Sequence, residues 1–255
     1  MRKNPVSALI TAIVLLFLYV PIIVLVVNSF NASRFGTIWG GFSFKWYSAL
    51  FRDRNVWVSL SNTVVVALVS TAVSVVLGSL AGFSLYRYKG RFQRMHYGLV
   101  SLPLIFPDIL MGMSLLLFFI ALGIRLSLLT IILGHITFSI SYVAVTIMAR
   151  LQNFDFSVVE AAEDLGASRF TIITRIYIPL LGPGLAAGAM LALTLSLDDF
   201  VITFFTAGPG SSTLPLQIYS MIKFGKPPMI NALSTLFLSV TFIVALFYQR
   251  IKEKI

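Results

Sequence analysis

The 255-residue sequence has no cysteine, which excludes disulfides and thiolate chemistry. It has only two histidines, and His135 has no second ligand at metal spacing, so no metal site is expected. Charge is scarce: 11 % of residues are Asp, Glu, Lys or Arg, against about 25 % in a soluble domain. No G-x-x-x-x-G-K-[ST] stretch occurs, which excludes nucleotide binding through a phosphate loop. There is no H-E-x-x-H, no nucleophile elbow and no Cys/His cluster. The chain reads as non-catalytic and as binding no cofactor of its own.

Apolar residues make up 58 % of the chain and the mean hydropathy is +0.95. This is the composition of an all-α, polytopic membrane protein forming a single domain over 1–255, with no room for a separate soluble one. A formal charge of +10 would suit nucleic acid. Here the cations gather at the ends of apolar runs, which points to membrane orientation and not to a nucleic-acid partner. A bilayer-spanning helix needs about 20 apolar residues. Six stretches qualify: 8–30, 58–85, 97–122, 127–148, 180–206 and 229–249. The charge-free run 6–30 is too long for a signal-peptide core of about 7–15 residues and is expected to be a retained first span. Pro21 inside it is tolerable in a membrane helix. Internal repeats are not evident.

The loops set the orientation. Arg87, Lys89, Arg91 and Arg94 crowd the short second loop, with Arg2 and Lys3 at one terminus and Arg250, Lys252 and Lys254 at the other. Of the nineteen cations, twelve fall on this side and seven on the other. The positive-inside rule places both termini in the cytoplasm. The first loop, 31–57, is aromatic and too polar to span. Its segment 45–50, containing Trp46 and Tyr47, is expected to be a short interfacial helix, with Trp46 either an anchor or a ligand contact.

Carboxylates inside the spans are costly and are functional candidates. In LPLIFPDILMG, Asp108 is expected roughly 15 Å from the start of the third span, near mid-membrane. Pro107-Asp108 also reads as a helix restart, with Asp108 capping free N–H groups. LSLDDFVITFF in the fifth span holds Asp198 and Asp199. Adjacent helical residues differ by about 100°, so one is expected to face an aqueous path and the other to pack or pair with a cation. The fourth span carries Thr130, His135, Thr137, Ser139 and Ser141, with His135 read as a buried hydrogen-bonding residue. Residues 207–212 are turn chemistry.

The long water-compatible stretch is 160–179, EAAEDLGASRFTIITRIYIP. Ser157 and Glu160 suggest a capping box. Val158, Ala162 and Leu165 give an apolar stripe. Gly166 is expected to end the helix at positive φ, and Ser168 to cap a second helix running towards Pro179. Such an amphipathic hairpin can dock on a partner at the membrane surface. Glu160-Ala161-Ala162, Gly166 and Ile176-Tyr177-Ile178-Pro179 resemble the EAA loop of ABC-importer permeases, with Ile178 in place of the usual Leu.

The resemblance is wider than this loop. Asn28-Ser29-Phe30-Asn31, Lys45-Trp46-Tyr47, Leu85-Tyr86-Arg87-Tyr88, Pro107-Asp108, His135-Ile136-Thr137-Phe138, Leu197-Asp198-Asp199-Phe200-Val201 and Ile218-Tyr219-Ser220-Met221 are similar to the spermidine/putrescine branch of that family. The resemblance implies a six-helix, type I (MetI-like) permease of the bacterial inner membrane. It implies as partners a second homologous permease, two ATPase subunits carrying ATP and Mg, and a periplasmic polyamine-binding protein. Residues 157–179, through Glu160, Ala161, Ala162, Gly166, Ile176 and Pro179, would couple to the ATPase. Asp108, Asp198, Asp199, Trp46, Tyr219 and Tyr88 are the candidate substrate-path residues, since carboxylates and aromatic faces suit ammonium groups. Alternatives are another cargo (ferric iron, thiosulfate or a compatible solute) or a proton-coupled transporter relaying through Asp108, His135 and Asp198.

Overall fold

The computed structural model describes residues 5–34, 38–225 and 227–252. Twelve α-helices are found there, with no strand beyond an isolated bridge between Asn31 and Phe42. In chain order they are α1 (Pro5–Ser29), α2 (Lys45–Arg52), α3 (Arg54–Arg87), α4 (Gln93–Ile105), α5 (Asp108–Ala121) and α6 (Leu128–Leu151). These are followed by α7 (Ser157–Asp164), α8 (Arg169–Ile172), α9 (Ile178–Asp198), α10 (Val201–Thr206), α11 (Leu214–Lys223) and α12 (Pro227–Lys252).

Among the described residues, four helical stretches are long and apolar enough to cross a membrane: 9–29, 54–87, 128–151 and 169–198. The pair α4 and α5 makes a fifth if the two count as one bent span. The sixth expected stretch falls on α12, whose part Pro228–Val240 is apolar.

The chain divides into two compact units. One comprises residues 1–57 and 217–255. In it α12 packs against both α1 and α2. The first loop closes on Asn31, which is buried. Its Oδ1 accepts from the backbone N–H of Ser33 and Gly40, and its Nδ2 donates to the carbonyl of Ile38. Phe30, Phe42, Phe44 and Tyr47 gather beside it, Phe30 and Phe42 stacked at 5.2 Å. The expected helix at 45–50 is present as α2.

The other unit, residues 58–216, is built round α6. Ile131, Val143, Ala144, Ile147 and Leu151 of that helix are fully buried. Helices α4, α5, α9 and α10 all pack on it. On α3, Gly78 and Gly82 meet the α6 backbone, and a Cβ on Gly82 would collide with the carbonyl of Ala144. Small residues four apart allow that closeness, as is common between membrane helices.

Two expected spans are interrupted. The third bends by 110° between α4 and α5, at Phe106-Pro107. Pro107 has no N–H to continue a helix and biases Phe106 to extended backbone, seen as ψ 138°. The depth of roughly 15 Å expected for Asp108 assumed a straight helix, and the bend removes that basis. The fifth expected span, 180–206, is not one helix. A continuous helical run of 30 residues, Arg169–Asp198, stops where Asp199 turns extended (ψ 126°), and α10 starts afresh at Val201. This run includes a π turn at Ile173–Tyr177. The second helix of the amphipathic hairpin therefore does not end near Pro179 but runs into the span.

Candidate functional site: a carboxylate cavity and a surface hairpin

Both helix breaks open on one cavity of about 320 Å³. Pro103, Asp108, Phe138, Tyr142, Leu195, Asp198, Asp199 and Phe200 line it, with Val201 and Ile202. The breaks explain why polar residues meet inside an apolar unit. Asp108 is the first residue of α5 and Asp198 the last of α9. Among the described residues, the lining holds three carboxylates, three aromatic rings and no Lys or Arg.

The carboxylates are not equivalent. Asp199 is committed to the fold. Its Oδ2 accepts from the backbone N–H and the hydroxyl of Thr203, both at 2.8 Å, and Oδ1 accepts from Ile202 N–H at 3.3 Å. It thereby caps α10, satisfying N–H groups that a helix start leaves free. His135 Nε2 approaches the same Oδ2 at 3.2 Å. Asp108 and Asp198, by contrast, are exposed at the cavity. Among the described residues, no Lys or Arg lies at ion-pair distance from any carboxylate. The split between Asp198 and Asp199 was expected from helical rotation. It arises instead because the helix ends between them. Asp108 was also read as a cap, but the N-cap of α5 is Pro107 and Asp108 stands one residue inside the helix, where its charge suits the positive helix end.

His135 is buried with no exposed surface, as expected of a hydrogen-bonding residue. Nδ1 lies 2.6 Å from Ser196 Oγ and Nε2 3.0 Å from Thr203 Oγ1. Ser196 Oγ is in turn 3.2 Å from Ser70 Oγ on α3. Because the Thr203 hydroxyl donates to Asp199, its oxygen is left to accept from Nε2–H. Nδ1 then accepts from Ser196. Of the polar stripe on α6, Thr130, Ser139 and Ser141 are buried with His135, while Thr137 faces outward. Ser70, Ser196 and Thr203 were not legible as parts of a site. The one signal for Thr203 is its position four residues after Asp199.

Trp46 and Tyr219 belong to the unit made of residues 1–57 and 217–255. The Trp46 indole N–H donates to the carbonyl of Asn31 at 2.8 Å, and Lys45 Nζ stands 5.0 Å from its ring centre. Tyr219 is exposed on α11. Tyr88 lines a different, larger cavity of about 710 Å³, together with Arg87, Phe156, Val159, Glu160, Glu163, Arg169 and Tyr177.

That second cavity adjoins the α7–α8 hairpin. Gly166 has φ +79°, as expected. Its N–H bonds to the Glu163 carbonyl and that of Ala167 to the Ala162 carbonyl, a Schellman closure. Ser168 caps α8 by accepting from Thr171 N–H at 3.2 Å. The Ser157–Glu160 capping box does not form. Ser157 is the first helical residue, and its N–H goes to Asp155 Oδ1 at 3.0 Å. Bonding to Ser157 holds the Asp155 carboxyl below its ordinary value. Of the hairpin's apolar residues Val159 is buried, whereas Val158 and Leu165 of the expected stripe are exposed, Leu165 by 88 %. Glu160, Ala161 and Pro179 are exposed, and Ala162 and Ile176 half-buried.

A helical membrane unit with broken spans, a carboxylate-lined cavity and an amphipathic hairpin has the architecture of a transport permease. The family of inner membrane components of binding-protein-dependent transport systems matches residues 74–255, and the chain belongs to that family. It is 43 % identical over 235 residues to the spermidine/putrescine transport system permease protein PotC of Escherichia coli K12, covering 92 % of this chain and 89 % of that one. Identity to PotC of Haemophilus influenzae is 39 % over 242 residues, covering 95 % and 94 %. Identity to the putrescine transport system permease protein PotI of E. coli K12 is 39 % over 250 residues, covering 95 % and 89 %. Among solved structures, the fold is shared with a bacterial ABC transporter involved in import of the acidic polysaccharide alginate (TM-score 0.75, 18 % identity, 98 % of each chain). It is shared also with the MetNI methionine ABC transporter (TM-score 0.62, 18 % identity, 82 % of this chain and 97 % of that one).

Proposed function

We propose that this chain is a permease subunit of an ATP-driven polyamine importer of the bacterial inner membrane. It forms half of the pathway beside a second, homologous permease. Two ATPase subunits carrying ATP and Mg, and a periplasmic polyamine-binding protein, complete the assembly. Both termini and the α7–α8 hairpin lie in the cytoplasm.

The observation that carries the cargo class is the cavity with two open carboxylates, aromatic walls and, among the described residues, no Lys or Arg. Polyamines present ammonium groups separated by methylene runs. Asp108 and Asp198 pair with the ammonium groups. Phe138, Tyr142 and Phe200 hold the methylenes and add cation–π attraction of about 0.5–2 kcal/mol. An anionic cargo would meet repulsion there. Asp199 shapes the site while its own charge is largely taken up by α10 and His135. The names of the relatives point to the same cargo.

The predicted cycle runs through the hairpin. ATP-driven closure of the ATPases moves α7 and α8, and α9 carries the movement towards Asp198. The cation passes Asp198 and Asp108 in series, and hydrolysis resets the pathway. Glu160 stands exposed at the docking surface, so Glu160→Lys is expected to weaken ATPase assembly and leave membrane insertion intact.

The test is ATP-dependent uptake of labelled spermidine and putrescine by cells that lack their own polyamine import and express this chain with its partner subunits. Uptake that falls at least tenfold in Asp198→Asn or Asp108→Asn, with assembly unchanged, is the expected result. An assembled complex that hydrolyses ATP but moves neither polyamine would overturn the cargo.

A further inference from the structure

The break between α9 and α10 contains neither proline nor glycine: the local sequence is Leu197-Asp198-Asp199-Phe200-Val201. Nothing in the backbone chemistry of these residues stops an apolar helix. Side chains hold the interruption: Asp199 caps α10 through Ile202 and Thr203, and residues on both sides of the break meet one residue of another helix. His135 on α6 reaches Ser196 in the last turn of α9 through Nδ1, and Thr203 and Asp199 on the α10 side through Nε2. Its two nitrogens bridge the two sides of the break. Asp198 lies between those two anchor points and opens on the cavity.

We infer that His135 is a positioning residue of the carboxylate cavity, a splint that keeps the break open and thereby aims Asp198 at the cargo. The inference rests on the reading of that cavity as a cation site. His135 touches no cargo itself: it is fully buried, and every polar partner facing it is already engaged. These partners are Ser196 from α9, Thr203 from α10 and Asp199 from the break; Phe138 packs on the ring at 5.4 Å. Ser70 of α3 backs the arrangement through Ser196. Without the imidazole, Asp199 loses one donor and Ser196 its acceptor, and the two ends of the break are no longer tied together. Asp198 then keeps its charge but loses its fixed direction. The expected effect is on cargo affinity, because a freely rotating carboxylate must be ordered at each binding event.

The experiment uses the whole complex, with its partner subunits, in proteoliposomes, and measures spermidine uptake against concentration. His135→Leu is expected to raise the half-saturating concentration about tenfold, the scale of a lost hydrogen bond to a charged group, with the maximal rate within about twofold. His135→Gln can donate to Asp199 and accept from Ser196, and is expected to recover affinity to within about threefold. In an Asp198→Asn background, His135→Leu is expected to add less than a further twofold or so, because its effect passes through Asp198.

Native affinity in His135→Leu, or a full independent loss on top of Asp198→Asn, would overturn the positioning role. Should His135→Leu fail to accumulate in the membrane, His135→Asn, too short to span both partners, is judged by the same two criteria. Asp198→Asn with unchanged affinity overturns the cation reading itself. Reduced affinity in Asp198→Asn beside native His135 variants overturns only the splint.

Discussion

The guanidinium carbon of Arg87 lies 5.7 Å from the centre of the Phe156 ring. This contact joins the last residue of α3 to the segment that opens the hairpin. Phe156 also stacks on Tyr86 at 6.0 Å and meets Phe154 edge-on at 4.8 Å. Phe154 in turn stacks on Tyr177 in the π turn, and Tyr177 packs edge-on against Phe83 at 5.0 Å. Five aromatic residues thus tie together α3, the start of α7 and the entry to α9.

Phe156→Ala is expected to loosen this joint. Truncating a buried phenylalanine costs about 3–5 kcal/mol, and the half-buried setting of Phe156 reduces that to about 2 kcal/mol. The functional signature is uncoupling: fewer spermidine molecules imported per ATP hydrolysed, with hydrolysis retained. Phe156→Tyr should keep the stack and the ratio. The measurement is that ratio in reconstituted complexes, and an unchanged ratio in Phe156→Ala would count against the joint.

The exposed apolar residues of the hairpin make a second prediction. Leu165 is 88 % exposed and Phe170 76 % exposed, on a segment that also bears Glu160, Glu163 and Arg169. Large apolar side chains so fully presented by a water-compatible segment suit a buried partner contact. Leu165→Asp is expected to leave the level of the permease in the membrane unchanged and to reduce co-purification of the ATPase at least tenfold, about 1.4 kcal/mol or more. Undiminished co-purification would move the docking surface away from Leu165.

Helix packing gives a third. Gly82→Ala places a methyl group against the Ala144 carbonyl of α6, which is backbone and cannot swing away. Overpacking of this kind costs about 1–3 kcal/mol. The unfolding midpoint in detergent should fall by several degrees, at about 2–4 °C per kcal/mol for a chain near this size. Gly98→Ala on α4, where a Cβ meets open space, should leave the midpoint level or slightly raised. Equal midpoints for the two variants would contradict the close α3–α6 approach.

The features readable from the sequence were those set by local chemistry. Gly166 ends α7 at positive φ because its neighbours leave carbonyls that only a left-handed residue can close. Ser168 caps α8 with its own hydroxyl. Pro107 breaks the third span because it carries no N–H. The break at Asp199 was illegible for the complementary reason. Its residues favour a helix by pattern, and the interruption depends on Asp199 capping α10 together with His135, more than sixty residues earlier in the chain. The hairpin is apolar on more than one side. Periodicity found Val158 and Leu165, but the fold buries Val159, leaving the other two exposed. A single chain's periodicity does not separate a face turned to its own core from one turned to a partner.

The helical run Arg169–Asp198 begins beside the hairpin and ends at the cavity carboxylate. At about 1.5 Å per residue it is a rod about 45 Å long. No loop intervenes that could absorb a displacement. In the proposed cycle the nucleotide and the cargo therefore act on opposite ends of one lever. Occupancy of Asp198 can bias the ATPase end as readily as the ATPase end biases Asp198, since coupling between two binding events is reciprocal. The machine can in this way sense that it is loaded before it fires.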